Sequence, residues 1–293
     1  MHTLRKWTGT ALGLGLLLGS YASAQEVSTA DRAQQAIQQR FQEISPAPLD
    51  ARGHVARPEL NLLPDVRLQD VRPDLEQGSG DELAGKFCAA HSSSALAVNT
   101  FGPWRRNPQS LRLLGQTGFT SLQFERKCPT GLQGIPPNLD VVLETPGVVI
   151  GIESKFLEIL EPKPPKFNDS YKPENLPQLE PCWAQLLESL KTSPKQYLDA
   201  AQLVRHYLGL RKRPEFKGRK IYLLYLFWEP ENWNEFPEYR QHRTELAAFQ
   251  AQVKDSDVTF VWRSYPEMWS QWQKLGLRPD HIHALQQRYL LKI

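Results

Sequence analysis

From about residue 120 onward, apolar positions fall in the periods of strands and helices in turn. SLQFERKC (121–128) alternates with the two-residue period of a half-buried strand. NLDVVLETPGVVIGIESKF (138–156) is mostly Val, Ile and Leu around Thr145-Pro146-Gly147-Val148, a turn with Pro second and Gly third as a type II turn prefers. KIYLLYLFWE (220–229) is a continuous apolar run, as expected of a strand covered on both faces, and VTFVWRSY (258–265) supplies a last strand. Helical patterns precede, separate and follow these strands. DELAGKFCAAHSSSALAVNTF (81–101) predicts a helix of small residues. CWAQLLESLK precedes a second helix, capped by Ser193 with Pro194 at its first position, in which Tyr197, Ala201, Val204 and Leu208 make one apolar face. A polar-faced helix is expected at about 235–254, and two helical pieces close the chain. Residues 161–181 carry six prolines and predict a long surface excursion. Helix, three strands, helix, strand, helix, strand is the order of a mixed α/β fold around one sheet.

Three charges interrupt the apolar hairpin. With pairing symmetric about the turn, Asp140 faces Glu153, and Lys155 projects from the same side of the sheet. Val141, Leu143, Ile150, Ile152 and Phe156 then supply core on the other side. Two carboxylates about 5 Å apart repel unless a proton or cation lies between them. Mg²⁺, with Mn²⁺ as the alternative, meets that need with one or two carboxylates plus water. A lysine alongside can activate a water or stabilise charge on a phosphate, which suits metal-assisted phosphodiester hydrolysis. The other reading is a structural ion cluster that Lys155 neutralises.

Composition narrows little. The 293 residues carry 35 Lys and Arg against 32 Asp and Glu, a formal charge of +3, which argues against gross coating of nucleic acid and permits a local basic patch. Such a patch is expected where Trp104 adjoins Arg105 and Arg106, with Arg126 and Lys127 nearby in sequence; the arginines and lysine would hold phosphates and the tryptophan would stack on an unpaired base. A third basic cluster, at 209–220, reads as a surface loop. Residues 1–24 have the basic head, apolar stretch and Ala22-Ser23-Ala24 site of an export signal, implying a periplasmic or secreted protein with no stable membrane association after cleavage; a cytoplasmic protein is the alternative. Residues 25–74 read as a helical and irregular extension and 75–293 as the main domain. Cys88, Cys128 and Cys182 lack metal-site spacing. His91 with Ser92, Ser93 and Ser94 does not form a nucleophile elbow and reads as close helix packing; His281 and His283 read as surface residues.

Asp140, then Glu153-Ser154-Lys155, resembles the motif of the PD-(D/E)XK, or restriction-endonuclease-like, nuclease superfamily. Leu139 stands where that motif has proline, with Pro136 and Pro137 just upstream. GKFCAAHSSSALAVNTFGPW and KCPTGLQGIPPNLD resemble a largely uncharacterised bacterial branch, over about residues 75–290. The resemblance implies a mixed central sheet flanked by helices (an αβββαβ core) and a metal-dependent nuclease acting on nucleic acid, DNA in the first instance. Asp140, Glu153 and the Ser154 carbonyl would bind metal and Lys155 would serve the chemistry. Glu82, on the first helix, matches a further metal ligand of several branches, and Gln202 matches a supporting glutamine of the RecB-like branches. A non-catalytic binding module on the same fold is the alternative.

Overall fold

The computed structural model describes His2, residues 27–77, Leu83 and residues 85–293. The export-signal segment, His2 apart, and Glu82 lie outside the described residues.

Five strands form one sheet in the order β1-β2-β3-β4-β5: β1 Ser121–Lys127, β2 Asn138–Glu144, β3 Val148–Lys155, β4 Lys220–Phe227 and β5 Val258–Ser264. The first three form an antiparallel meander, and β3, β4 and β5 run parallel. Parallel neighbours need crossovers, which helices supply. Between β3 and β4 run α4 (Pro181–Lys191) and α5 (Ala200–Lys212); between β4 and β5 runs α6 (Pro237–Gln252). The chain ends with α7 (Tyr265–Lys274) and α8 (Pro279–Tyr289). This is a mixed α/β fold around one central sheet flanked by helices, the order the strand and helix patterns predict.

The hairpin register is the one symmetry about the turn predicts, with Val141 opposite Ile152 and Leu143 opposite Ile150. The turn itself differs. Gly147 is not among the glycines at positive φ, which a type II turn would require. Instead the Thr145 hydroxyl accepts hydrogen bonds from the Gly147 and Val148 amides at 3.2 and 2.9 Å. A side chain does there what glycine geometry was expected to do.

Both faces of β3 are covered. The side that carries Gly151, Glu153 and Lys155 meets α5, and the neighbouring Tyr225 of β4 bonds to His242 of α6. The opposite side packs Phe156 against Tyr289 of α8 and joins Ser154 to Tyr265 at the start of α7. The segment before the sheet joins this core. α1 (Thr29–Ile44) buries Ala33, Ile37 and Phe41 and packs on α8; α2 (Leu68–Glu76) lies along β1, where Asp74 accepts the Phe124 amide at 3.0 Å.

Two helices begin later than their sequence patterns suggest. The expected helix over 81–101 is α helix only as α3, Ser93–Phe101, capped by Ser92, after a short 3-10 turn at Lys86–Cys88. Asn61 accounts for the difference: its amide donates to the Phe87 and Ala89 carbonyls at 2.6 and 2.8 Å, binding that stretch to the chain before it. The helix expected from Pro194 starts at Ala200, capped by Asp199, because Gln196 bridges to Lys163 and the Leu198 amide is taken by Glu245. His281 is buried, with Nε2 2.8 Å from the Asn99 carbonyl, and is not the surface residue its spacing suggested.

α5 approaches the loop after β1 closely enough to require glycine at 209. A Cβ there would stand 2.3 Å from the Cys128 carbonyl oxygen, and main chain cannot swing aside as a flexible side chain can. Gly209→Ala should therefore lower stability by about 1–3 kcal/mol, the usual cost of overpacking, read as a lower urea midpoint at unchanged slope. An unchanged midpoint would show that α5 is free to move off β1.

Candidate active site

The site forms where strand pairing breaks. The ladder between β2 and β3 runs as far as Val141 and Ile152 and stops. On the other side β1 pairs with β2 at Phe124–Val141 and again at Arg126–Leu139, skipping Glu125 and Asp140 between them. Glu125 there adopts φ 49°, a left-handed conformation unusual for a residue with a side chain. Asp140 is thus released from both neighbours, and its Oδ2 accepts the Ser154 amide at 2.6 Å. A carboxylate takes the place of a strand partner and is fixed beside the Glu153-Ser154-Lys155 strand end.

Two residues one turn apart on α5 complete the arrangement. Lys155 Nζ donates to Gln202 Oε1 at 2.8 Å and lies 2.5 Å from Glu153 Oε1. His206 Nε2 lies 2.7 Å from Glu153 Oε2. That last contact is close but poorly directed: Glu153 Oε2 and both His206 ring nitrogens lack an aligned hydrogen-bond partner. Distance makes it an ion contact, and angle leaves Glu153 Oε2 a buried acceptor with capacity to spare. Asp140, Glu153, Ser154, Lys155 and Gln202 line one cleft of about 730 Å³.

The charges in this cleft are strongly coupled. Burial pushes the Asp140 carboxyl well above the usual range, and the neighbouring Glu153 and Glu125 charges push it further. Burial acts the same way on Glu153, but Lys155 and His206 together outweigh it and hold that carboxyl down to about 2. Burial also opposes the charged form of Lys155, yet Glu153, Glu158 and Asp140 overcome it and hold the ammonium above the usual lysine range. The site therefore contains one firmly ionised carboxylate, one protonated lysine and one carboxyl whose ionisation Lys155 offsets only in part.

The residues next to His206 do not mark it as part of a site. The available signal was its position four residues after Gln202, on the same side of a helix that packs on the sheet. His91 and the serines after it do more than pack. Ser92 does cap α3, but His91, Ser93 and Ser94 line the same cleft.

The expected nucleic-acid patch is largely rearranged. Trp104 is 1% exposed and packed on Trp272 with ring centroids 5.0 Å apart, so it has no face to offer a base. Arg105 and Arg106 pair with Asp74 and Asp70 of α2 at 3.2 and 2.6 Å, fastening that helix to the domain. Arg126 lies between Glu144 and Glu215, 3.2 Å from each. Lys127 is exposed, at the β1 end that pairs with Asn138 on the cleft rim.

Comparison with known proteins gives one result. Searches of curated proteins and of solved structures found no match to the chain. The family model described as "Restriction Endonuclease associating with ARP" matches residues 29–290, a span that takes in α1 and α2 and so begins well before residue 75. With a match over most of its length, and with the motif residues gathered in one cleft on a restriction-endonuclease-like sheet, the chain belongs to this restriction-endonuclease family.

Proposed function

We propose that this protein is a Mg²⁺-dependent nuclease hydrolysing phosphodiester bonds, with DNA as its substrate class and Mn²⁺ able to replace Mg²⁺. The observation that carries the reading is the convergence of Asp140, Glu153, Lys155 and Gln202 in an open cleft. The donor set suits a hard divalent cation: two carboxylates, one with an unsatisfied buried oxygen, beside a main-chain carbonyl at Ser154. The Ser154 hydroxyl is bonded to Tyr265 at 2.7 Å, so a ligand role there falls to its carbonyl. A bound cation would polarise the phosphate and lower the pKa of a coordinated water.

The protein's own groups divide the remaining work. Asp140 and Glu153 would place the cation against the scissile phosphate. Lys155, held protonated, would stabilise negative charge building on that phosphate rather than accept a proton. Gln202 fixes the ammonium and His206 backs Glu153, so neither charged group need reorganise during reaction. The rival is a binding module in which Lys155 merely neutralises Glu153, and the 2.5 Å contact between them suits that reading too.

Lys155→Ala separates the two. The nuclease reading predicts at least ~100-fold loss of Mg²⁺-dependent nicking of plasmid or single-stranded DNA by the variant, with DNA binding in Ca²⁺ retained; removing Lys155 strands the buried Glu153 charge, so the variant melts lower on either reading and cleavage decides. A structural ion cluster predicts a stability loss of roughly 3–5 kcal/mol from the stranded carboxylates, and no Mg²⁺-dependent cleavage by the wild type.

Asp140→Asn tests the electrostatics in the opposite direction. Folding raises the Asp140 carboxyl, so keeping it ionised above its unfolded value costs stability near neutral pH. Asparagine removes that charge and still offers an oxygen to the Ser154 amide. In metal-free buffer at pH 7 the variant should melt higher than wild type while losing Mg²⁺-dependent cleavage. A lower melting midpoint would mean that the Asp140 charge is satisfied by something other than a cation.

A further inference from the structure

The carboxylate side of the cleft explains how one phosphate could be held through a cation, but a nucleic-acid strand presents a row of phosphates. Resting on the nuclease reading, we propose that His54, Lys86 and His91, on another part of the cleft wall, form a subsite for a second phosphate of the same strand. All three line the cleft that holds Asp140 and Lys155, and Ser93, at the start of α3, lines it beside them.

These groups come from separate stretches of chain that buried polar contacts fasten together. His54 forms a β-bridge with Ala89, the Val55 amide bonds to the Cys88 carbonyl at 2.9 Å, and the Ala90 amide bonds to the Gly53 carbonyl at 3.0 Å. Asn61 and Asn99, both fully buried, brace the same stretch: Asn61 holds the Phe87 and Ala89 carbonyls, while Asn99 accepts the Leu63 amide at 2.8 Å. Gly53 turns the chain into His54 at φ +78°. The three side chains therefore stand on a rigid wall, as a subsite that fixes strand register requires.

Their charge environment differs from that of the arginines. Arg105, Arg106 and Arg126 each have a carboxylate partner. Among the described residues no carboxylate lies within ion-pair distance of His54, Lys86 or His91. Burial and the neighbouring His54 hold His91 below the usual imidazole range, against the pull of Glu158, so at this wall Lys86 supplies the charge and His91 a neutral ring. His91 Nδ1 is buried and has no hydrogen-bond partner, which a phosphate oxygen could supply. The first turn of α3 adds the positive end of a helix dipole on the same side. Glu125, Asp140, Glu153 and Glu158 outnumber Lys155 across the remainder of the cleft and leave it acidic. A strand entering it meets repulsion there unless cations are bound, and attraction at this wall.

The test is binding of a fluorescent single-stranded oligonucleotide in Ca²⁺ buffer over a range of salt concentrations, with wild type, Lys86→Gln and Lys86→Gln/His91→Ala. Each protein is also melted and assayed for Mg²⁺-dependent cleavage. Lys86 is exposed, so Lys86→Gln should melt as wild type does. It should bind about five- to tenfold more weakly at low salt, with a log–log salt slope shallower by about 0.7, the contribution of one phosphate contact on a single strand. The double variant should bind more weakly again. Wild-type affinity and slope in Lys86→Gln, with cleavage intact, would overturn the subsite and leave the nuclease reading standing. Failure of the wild type to bind or cleave nucleic acid would overturn both. If the double variant melts early, Lys86→Gln alone decides.

Discussion

The arrangement depends on the burial of two carboxylates side by side at the end of a strand hairpin. Left alone, such a pair would take up a proton or push the strands apart. Here the repulsion is handled unequally. Glu153 receives Lys155 on one oxygen and His206 near the other, whereas Asp140 receives one main-chain amide and no positive partner of its own. The asymmetry accounts for the opposite displacement of the two carboxyls and leaves a deficit of positive charge in an open cleft. On the nuclease reading proposed above, a divalent cation would remove it.

The surrounding fold keeps that deficit in place. α5 is brought close by Gly209 and by Gly151, whose absent Cβ is replaced by Leu139 and Leu210 side chains, so Gln202 and His206 reach the strand end at fixed height. The break in pairing at Glu125 and Asp140 frees a side chain without freeing the strand, because pairing with β1 resumes at Leu139. The amino-terminal segment contributes too. It shields the β1 edge, buries Asn61 against the approach to α3, and builds one wall of the cleft.

Much of this was legible in the sequence because strand chemistry is local. Alternation around Thr145–Val148 fixed the register, and with it the placement of Asp140, Glu153 and Lys155, even though Thr145 rather than Gly147 shapes the turn. The less legible features are set by contacts distant in sequence. Trp104 sits among arginines yet is buried, because α7 and α8 fold back over it with Trp272 and His281. Arg105 and Arg106 look free until α2 brings Asp74 and Asp70 to them. His206 and His91 acquire meaning only once α5 and α3 are docked on the sheet, since nothing in their immediate neighbours marks them as facing a cleft.

The central claim is that Asp140 and Glu153 together form a divalent-cation site, and Mn²⁺ binding followed by electron paramagnetic resonance tests it most directly. The spectrum of free Mn²⁺ should diminish saturably on titration with wild-type protein. Asp140→Asn and Glu153→Gln should each abolish that loss, while Mg²⁺ should compete for it in the wild type. Absence of saturable binding by the folded wild type, or binding that survives both substitutions, would contradict the account.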